Sequence, residues 1–139
     1  MYASHLGWLN APQDCRDGKS RIEDFGDSHP ICKLPDTDPL LVSHFRKVGP
    51  CLGVGMGVYS VTWQELKAYS ELSGSNLTAW EAEQIIMMSS RYCNYLQIGK
   101  KPTPPPYERE FTAEDIRQQN ESISKILEAE EKAFKKLKA

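Results

Sequence analysis

The sequence predicts a mainly α-helical protein, with a loop-rich N-terminal region, a central helical hairpin, a proline-rich spacer and a long C-terminal amphipathic helix. Three observations carry that prediction. Thr62-Trp63-Gln64-Glu65 and Thr78-Ala79-Trp80-Glu81 are two helix-start signatures a short distance apart. Lys100 to Pro106 contains four prolines and cannot continue a helix. From Thr112 to the end, apolar residues recur at helical spacing on an otherwise charged background.

Residues 1–60 mix Gly, Pro, Asp and scattered aromatics without a long periodic stretch. Asn10-Ala11-Pro12, Asp17-Gly18, Phe25-Gly26-Asp27 and His29-Pro30 read as turns. The region is expected to be mostly loop, ordered by packing Trp8, Leu9, Ile22 and Phe25, with one short helix. Asp38 caps that helix and Pro39 occupies its first position. Leu40, Leu41, His44, Phe45 and Val48 follow at helical spacing, and Gly49-Pro50 ends it.

Residues 61–99 are the clearest part. In each Thr-x-x-Glu box the Thr hydroxyl accepts from the third-position amide and the Glu reaches back to the Thr amide. Val61 and Leu66 form a hydrophobic staple around the first box. Trp63, Leu66, Ala68, Tyr69 and Leu72 give this helix its apolar face, and Gly74 ends it. The second helix carries Ala82, Ile85, Ile86, Met88, Tyr92, Tyr95 and Leu96. Two capped helices joined by a short turn make a hairpin, where most of the core is expected.

Residues 100–111 read as an extended, fairly stiff spacer. Residues 112–139 open with a third box, Thr112-Ala113-Glu114-Asp115, in which Asp stands for the usual Glu, with Phe111 and Ile116 as its staple. The helix that follows carries Ile116, Ile123, Ile126, Leu127, Ala133, Phe134 and Leu137 on one stripe, acids early and lysines late, which suits the helix dipole. Glu128–Lys132 and Glu131–Lys135 are favourable i,i+4 pairs. The stripe needs a partner, either the hairpin or another subunit. Gln119 and Glu130 interrupt the heptad, which argues against a long coiled coil.

A chain of 139 residues accommodates one domain and an extension. Its 17 basic and 19 acidic residues nearly cancel, so no global attraction to nucleic acid or an anionic membrane is expected. No secretory signal precedes the cysteines, and no apolar stretch is long enough to span a bilayer. Cys15, Cys32, Cys51 and Cys93 lack paired spacing and read as free thiols of a cytosolic protein.

Three patterns were weighed for chemistry, and none makes a catalytic, cofactor or metal site. Gly53-Val54-Gly55-Met56-Gly57 precedes a helix, as phosphate loops do, but lacks the P-loop lysine and any dinucleotide fingerprint. Cys15, His29, Cys32 and Cys51 include zinc-type ligands, but only His29 and Cys32 lie at short spacing. No elbow frames a serine nucleophile, and His44 beside Phe45 reads as a packed, hydrogen-bonded histidine. Carboxylates such as Asp38 and Glu81 read as caps. Trp63, Tyr69, Trp80, Tyr92 and Tyr95 could stack bases, but only Arg91 lies among them to track phosphates. They read as core, with the remainder serving as interface anchors. The candidate protein-binding residues are therefore Trp63, Tyr69, Trp80, Tyr92, Ile123, Leu127 and Phe134.

Val48-Gly49-Pro50, Gly55-Met56-Gly57, Thr62-Trp63-Gln64-Glu65, Leu77-Thr78-Ala79-Trp80-Glu81-Ala82 and Met88-Ser89-Ser90-Arg91-Tyr92 resemble small proteins of phage and prophage tail-gene clusters. These are the tail assembly chaperones of long-tailed phages. Trp8-Leu9-Asn10-Ala11-Pro12 and Asp24-Phe25-Gly26 are similar in flavour. The resemblance implies a non-catalytic assembly factor in the host cytoplasm that binds tail-tube and tape-measure proteins. Such proteins are frequently made as two frameshift products, of which this chain resembles the downstream part. The charged helix after Pro106 departs from the family's short ends. The alternatives are a minor structural or adaptor component of the virion, and a small phage regulator binding host protein or DNA. The oligomeric state stays open.

Overall fold

A computed structural model describes residues 1–55, 57–108, 110 and 112–138. Its helices are α1 (Tyr2–Asn10), α2 (Arg21–Phe25), α3 (Pro39–Val48), α4 (Trp63–Ser73), α5 (Ala79–Ile98) and α6 (Ala113–Lys138). Single turns of 3-10 helix lie at Asp14–Arg16 and Pro30–Cys32, and one antiparallel hairpin pairs β1 (Leu52–Val54) with β2 (Gly57–Tyr59). The mainly helical class is as the sequence predicts.

The helix starts rest on the side chains named for them. The Asp38 carboxylate accepts from the Leu40 amide ahead of Pro39. Thr78 and Glu81 form the full reciprocal box, as do Thr112 and Asp115. At Thr62 the hydroxyl half is formed, with Glu65 N donating at 3.4 Å. Val61 and Leu66 are both buried in one cluster, which is the expected staple. The Phe111 half of the third staple lies outside the described residues.

The N-terminal region departs from the expectation of one short helix among loops. It holds α1, α2 and α3 and leads into a β-hairpin. α1 escaped detection because it is buried all round. Tyr2, Ala3, Ser4, His5, Gly7, Trp8 and Leu9 are all inside, so no polar face creates a period. The short α2 starts with a capping box, Ser20 with Glu23, that the turn-like surroundings concealed.

α5 is the spine, and its main partner is α1 rather than α4, which corrects the placing of most of the core inside the hairpin. Ala3, Gly7 and Ala11 recur every four residues and let the backbones approach closely. A Cβ at Gly7 would lie 2.5 Å from the Tyr92 carbonyl oxygen. A Cβ at Gly99 would lie 2.7 Å from Ala11 Cβ, so α1 and α5 run side by side in the same direction. One core cluster gathers Leu41, Val61, Leu66, Ala82 and Ile85. The other gathers Tyr2, Ala3, Phe45 and Tyr92. Met88 packs against both, and Leu41 and Phe45 carry α3 into both. Fully buried Ser89 on α5 accepts from the Val61 amide and donates to the Pro50 carbonyl, each at 2.8 Å.

Residues 102–105 have no regular secondary structure, and the segment lies against the body. Trp8 Nε1 donates to the carbonyl and hydroxyl of Thr103, both at 3.2 Å. Buried Arg21 stacks 4.2 Å over the Trp8 ring and donates to the carbonyls of Trp8 (3.0 Å), Gly99 (2.6 Å) and Lys101 (3.2 Å). α6 is rooted by Asp115, which is buried and ion-paired with Lys33 at 2.6 Å.

Candidate protein-binding surfaces

Among the described residues, no group of three His, Cys, Asp or Glu side chains could hold a metal ion. The four cysteines are free thiols. His29, one of the zinc-type candidates, accepts from the Ile31 amide through Nδ1. Burial pushes the Cys32 and Cys93 thiols up from their ordinary value, away from the reactive thiolate. The glycine run is not a loop at a helix N-terminus. Leu52–Val54 pairs with Gly57–Tyr59, Gly55 turns between them at φ +59, and Met56 lies outside the described residues. His44 is packed and hydrogen-bonded, its Nδ1 2.8 Å from the Tyr69 hydroxyl. No described helix is long and apolar enough to cross a membrane.

The aromatic candidates separate into three groups. Tyr92 is core: it meets Phe45 edge-on, and its hydroxyl accepts from Asn10 Nδ2 at 3.1 Å. Burial raises its phenol above the ordinary value. Tyr69 is half-buried in its bond to His44. Trp63 and Trp80 are not core, with 55% and 58% of their surface exposed. They occupy the first and second helical positions after Thr62 and Thr78. In a first turn the side chain faces away from the helix body unless a staple draws it in, and here Val61 and Leu66 take that place.

Trp63 walls a cleft of about 280 Å³ that runs along α4 as far as Glu71, against the Leu77–Thr78 turn and the first turn of α5. Leu66, Leu77 and Ala82 form its apolar floor, while Lys67 and Glu71 stand at its side. Trp80 follows Ala79, another lining residue, and exposed Met87 lies two turns further along α5. The surface combines the Trp63 ring and an apolar floor with the polar side chains of Lys67, Ser70, Glu71 and Thr78.

The α6 candidates form a second surface. Ile123, Leu127 and Phe134 are about half exposed, as are Ile116 and Ile126, and Leu137 is more so. Asp115 is the one buried residue of α6. The helix carries the exposed i,i+4 pairs Arg117–Glu121 and Glu131–Lys135. A third feature is a cavity of about 430 Å³ under the proline segment, lined by His5, Pro30, Ile31, Pro105 and Tyr107, with Lys33, Glu108, Glu110 and Asp115 on its charged side. The His5 Nε2–H donates to the Ile31 carbonyl at 2.7 Å, and its Nδ1 has no hydrogen-bond partner among the described residues. Burial lowers the His5 pKa. Nothing in the local sequence marks His5, because its burial follows from α1.

Residues 32–94 match the model of a family described as phage tail assembly chaperone. The chain is thus phage tail assembly chaperone-like over the segment from the 3-10 turn before α3 to the last turns of α5. No curated protein and no solved structure matches it. The matched segment contains Trp63, Trp80 and the cleft; α1, the proline segment and α6 lie outside it.

Proposed function

We propose that the chain is a non-catalytic tail assembly chaperone that holds the tail-tube or tape-measure protein in the host cytoplasm until it is incorporated. One observation carries this reading: the segment that matches the chaperone family exposes two capped-helix tryptophans, of which Trp63 walls a cleft floored by Leu66, Leu77 and Ala82. Tryptophans with more than half their surface in water contribute little to a monomer's stability, and they are the residue type that dominates binding hot spots. Trp63 and Trp80 form the contact centre, with Leu77 and Met87 around them. Tyr69 and Tyr92 support that surface from behind, through His44 and through the α1–α5 packing. The α6 stripe is a second protein-binding surface.

The test is capture of the genomic neighbours by this chain as bait, with mass spectrometry of both the captured proteins and the finished particles. Capture of tube or tape-measure protein, with the bait missing from particles, is the expected result. Trp63→Ala with Trp80→Ala should lower capture at least about tenfold while leaving the free energy of unfolding in urea within about 0.5 kcal/mol of wild type. The bait at fixed copy number in the particle would instead make the chain a structural component.

A further inference from the structure

We infer that α6 is a self-association helix: two copies of this chain pair their α6 helices antiparallel, each seating its C-terminal half in a groove of the other. Three observations lead there, and none of them depends on the chaperone reading.

The first is the stripe itself. Ile116, Ile123, Ile126, Leu127, Phe134 and Leu137 stand between 47% and 85% exposed on a helix whose buried residue is Asp115. Burying most of that area would remove about 600 Å² per chain from water, at the lower edge of what a stable pair needs.

The second is the groove. Beside the first half of α6 lies a space of about 540 Å³, walled by Phe25, His29 and Pro30 on one side and Ile123 and Ile126 on the other. Its described walls do not close on each other, since Phe25 remains 46% exposed. Pairing two copies antiparallel about the middle of α6 (Ala113–Lys138) sets the start of the partner copy's C-terminal half, residues 125–133, alongside Gln118–Ile126, which line this groove. Leu127 becomes its occupant, with Phe134 at its edge, next to Gln118.

The third is charge. The first turn of α6 presents Glu114, while Asp115 is already neutralised by Lys33, and the groove carries Asp24 and Glu121 beside one cation, Lys125. The last turn is basic at Lys135, Lys136 and Lys138. Parallel pairing would set lysine against lysine, whereas antiparallel pairing sets the basic turn against the acidic one and opposes the helix dipoles. Gln119 and Glu130 break the heptad and forbid a long parallel coiled coil, but they do not hinder a short isologous contact.

The experiment is sedimentation equilibrium of the full chain with circular dichroism on each variant. Wild type should be a dimer at concentrations of about 10–100 μM. Leu127→Glu and, on the facing wall, Phe25→Ser should each weaken it at least about tenfold without loss of helicity, because both residues are exposed in the monomer. Lys135→Glu with Lys136→Glu should weaken it, and adding Glu114→Lys with Glu121→Lys should restore it, which only an antiparallel arrangement allows. A wild-type monomer throughout that range, or a dimer indifferent to Leu127→Glu, overturns the inference. Failure of the charge exchange to rescue overturns the antiparallel arrangement.

Discussion

Replacing Gly7 with alanine separates two opposed effects, and the structure decides which wins. Gly7 is an interior residue of α1. In an exposed helix the exchange stabilises by about 1 kcal/mol, because glycine loses more backbone freedom on folding. Here the new methyl would sit 2.5 Å from the Tyr92 carbonyl oxygen and 3.2 Å from Tyr92 C and Cα. These are backbone atoms of α5 and cannot turn aside as a side chain could. Relief requires α1 and α5 to part by somewhat under 1 Å, and a gap of that size forfeits about a quarter to a half of each dispersion contact along the seam. The seam includes Tyr2, Ala3 and Tyr92, so overpacking of about 3 kcal/mol outweighs the propensity gain. The expected net loss is about 2 kcal/mol, or a Tm lower by about 7 °C in a chain of this size. Urea unfolding followed by far-UV circular dichroism measures it, with Gln64→Ala on the open face of α4 as a control expected to stay within about 0.5 kcal/mol. A Gly7→Ala protein as stable as wild type, or more so, would refute the backbone contact and the packing order built on it.

Arg21→Met keeps an apolar stem over Trp8 but leaves three carbonyl acceptors without their shared cation, and should cost about 3 kcal/mol in the same urea assay. Arg21→Lys should recover little of this, since an ammonium cannot offer a planar fork to three carbonyls while stacking on an indole. His5 and His29 both have pKa values lowered by burial, so the unfolded chain takes up protons before the folded one. Stability should be full above about pH 6.5 and decline as the pH falls below it. His5→Gln retains a donor for the Ile31 carbonyl and removes the titration, so it should flatten that slope; an unchanged slope would rule out His5 as a source.

What could be read from the sequence was what local chemistry encodes. Thr78 with Glu81, Asp38 with Pro39 and Thr112 with Asp115 each satisfy helix-end amides through neighbours three residues away or fewer, so the starts of α3, α5 and α6 were visible. α1 was hidden because its contacts are tertiary throughout. Its one local trace is the small-residue spacing of Ala3, Gly7 and Ala11, a signature of close helix approach rather than of amphipathicity. The β-hairpin was masked by glycines that suit a loop equally well. For the binding surface, residue type alone could not divide the aromatics. Tyr92 is inside and Trp80 outside on the same helix, and the difference is set by α1, which covers the C-terminal half of α5 and leaves its first turn open.

That division also explains why the proposed binding surface can be altered without unfolding the protein. Parallel packing of α1 and α5 brings two negative helix ends together, at the Trp8 and Gly99 carbonyls, and Arg21 supplies the cation that makes the arrangement tolerable. The proline segment is then fixed by the same guanidinium and by Trp8. All of this lies at the C-terminal end of α5. At its N-terminal end, capping by Thr78 and Glu81 and the Leu66–Ile85 cluster hold the helix without help from either exposed tryptophan. Stability and exposure are thus placed at opposite ends of one helix. Large apolar side chains kept in water by a frame that does not need them are the ground on which this end of α5 is proposed as the one that meets a partner.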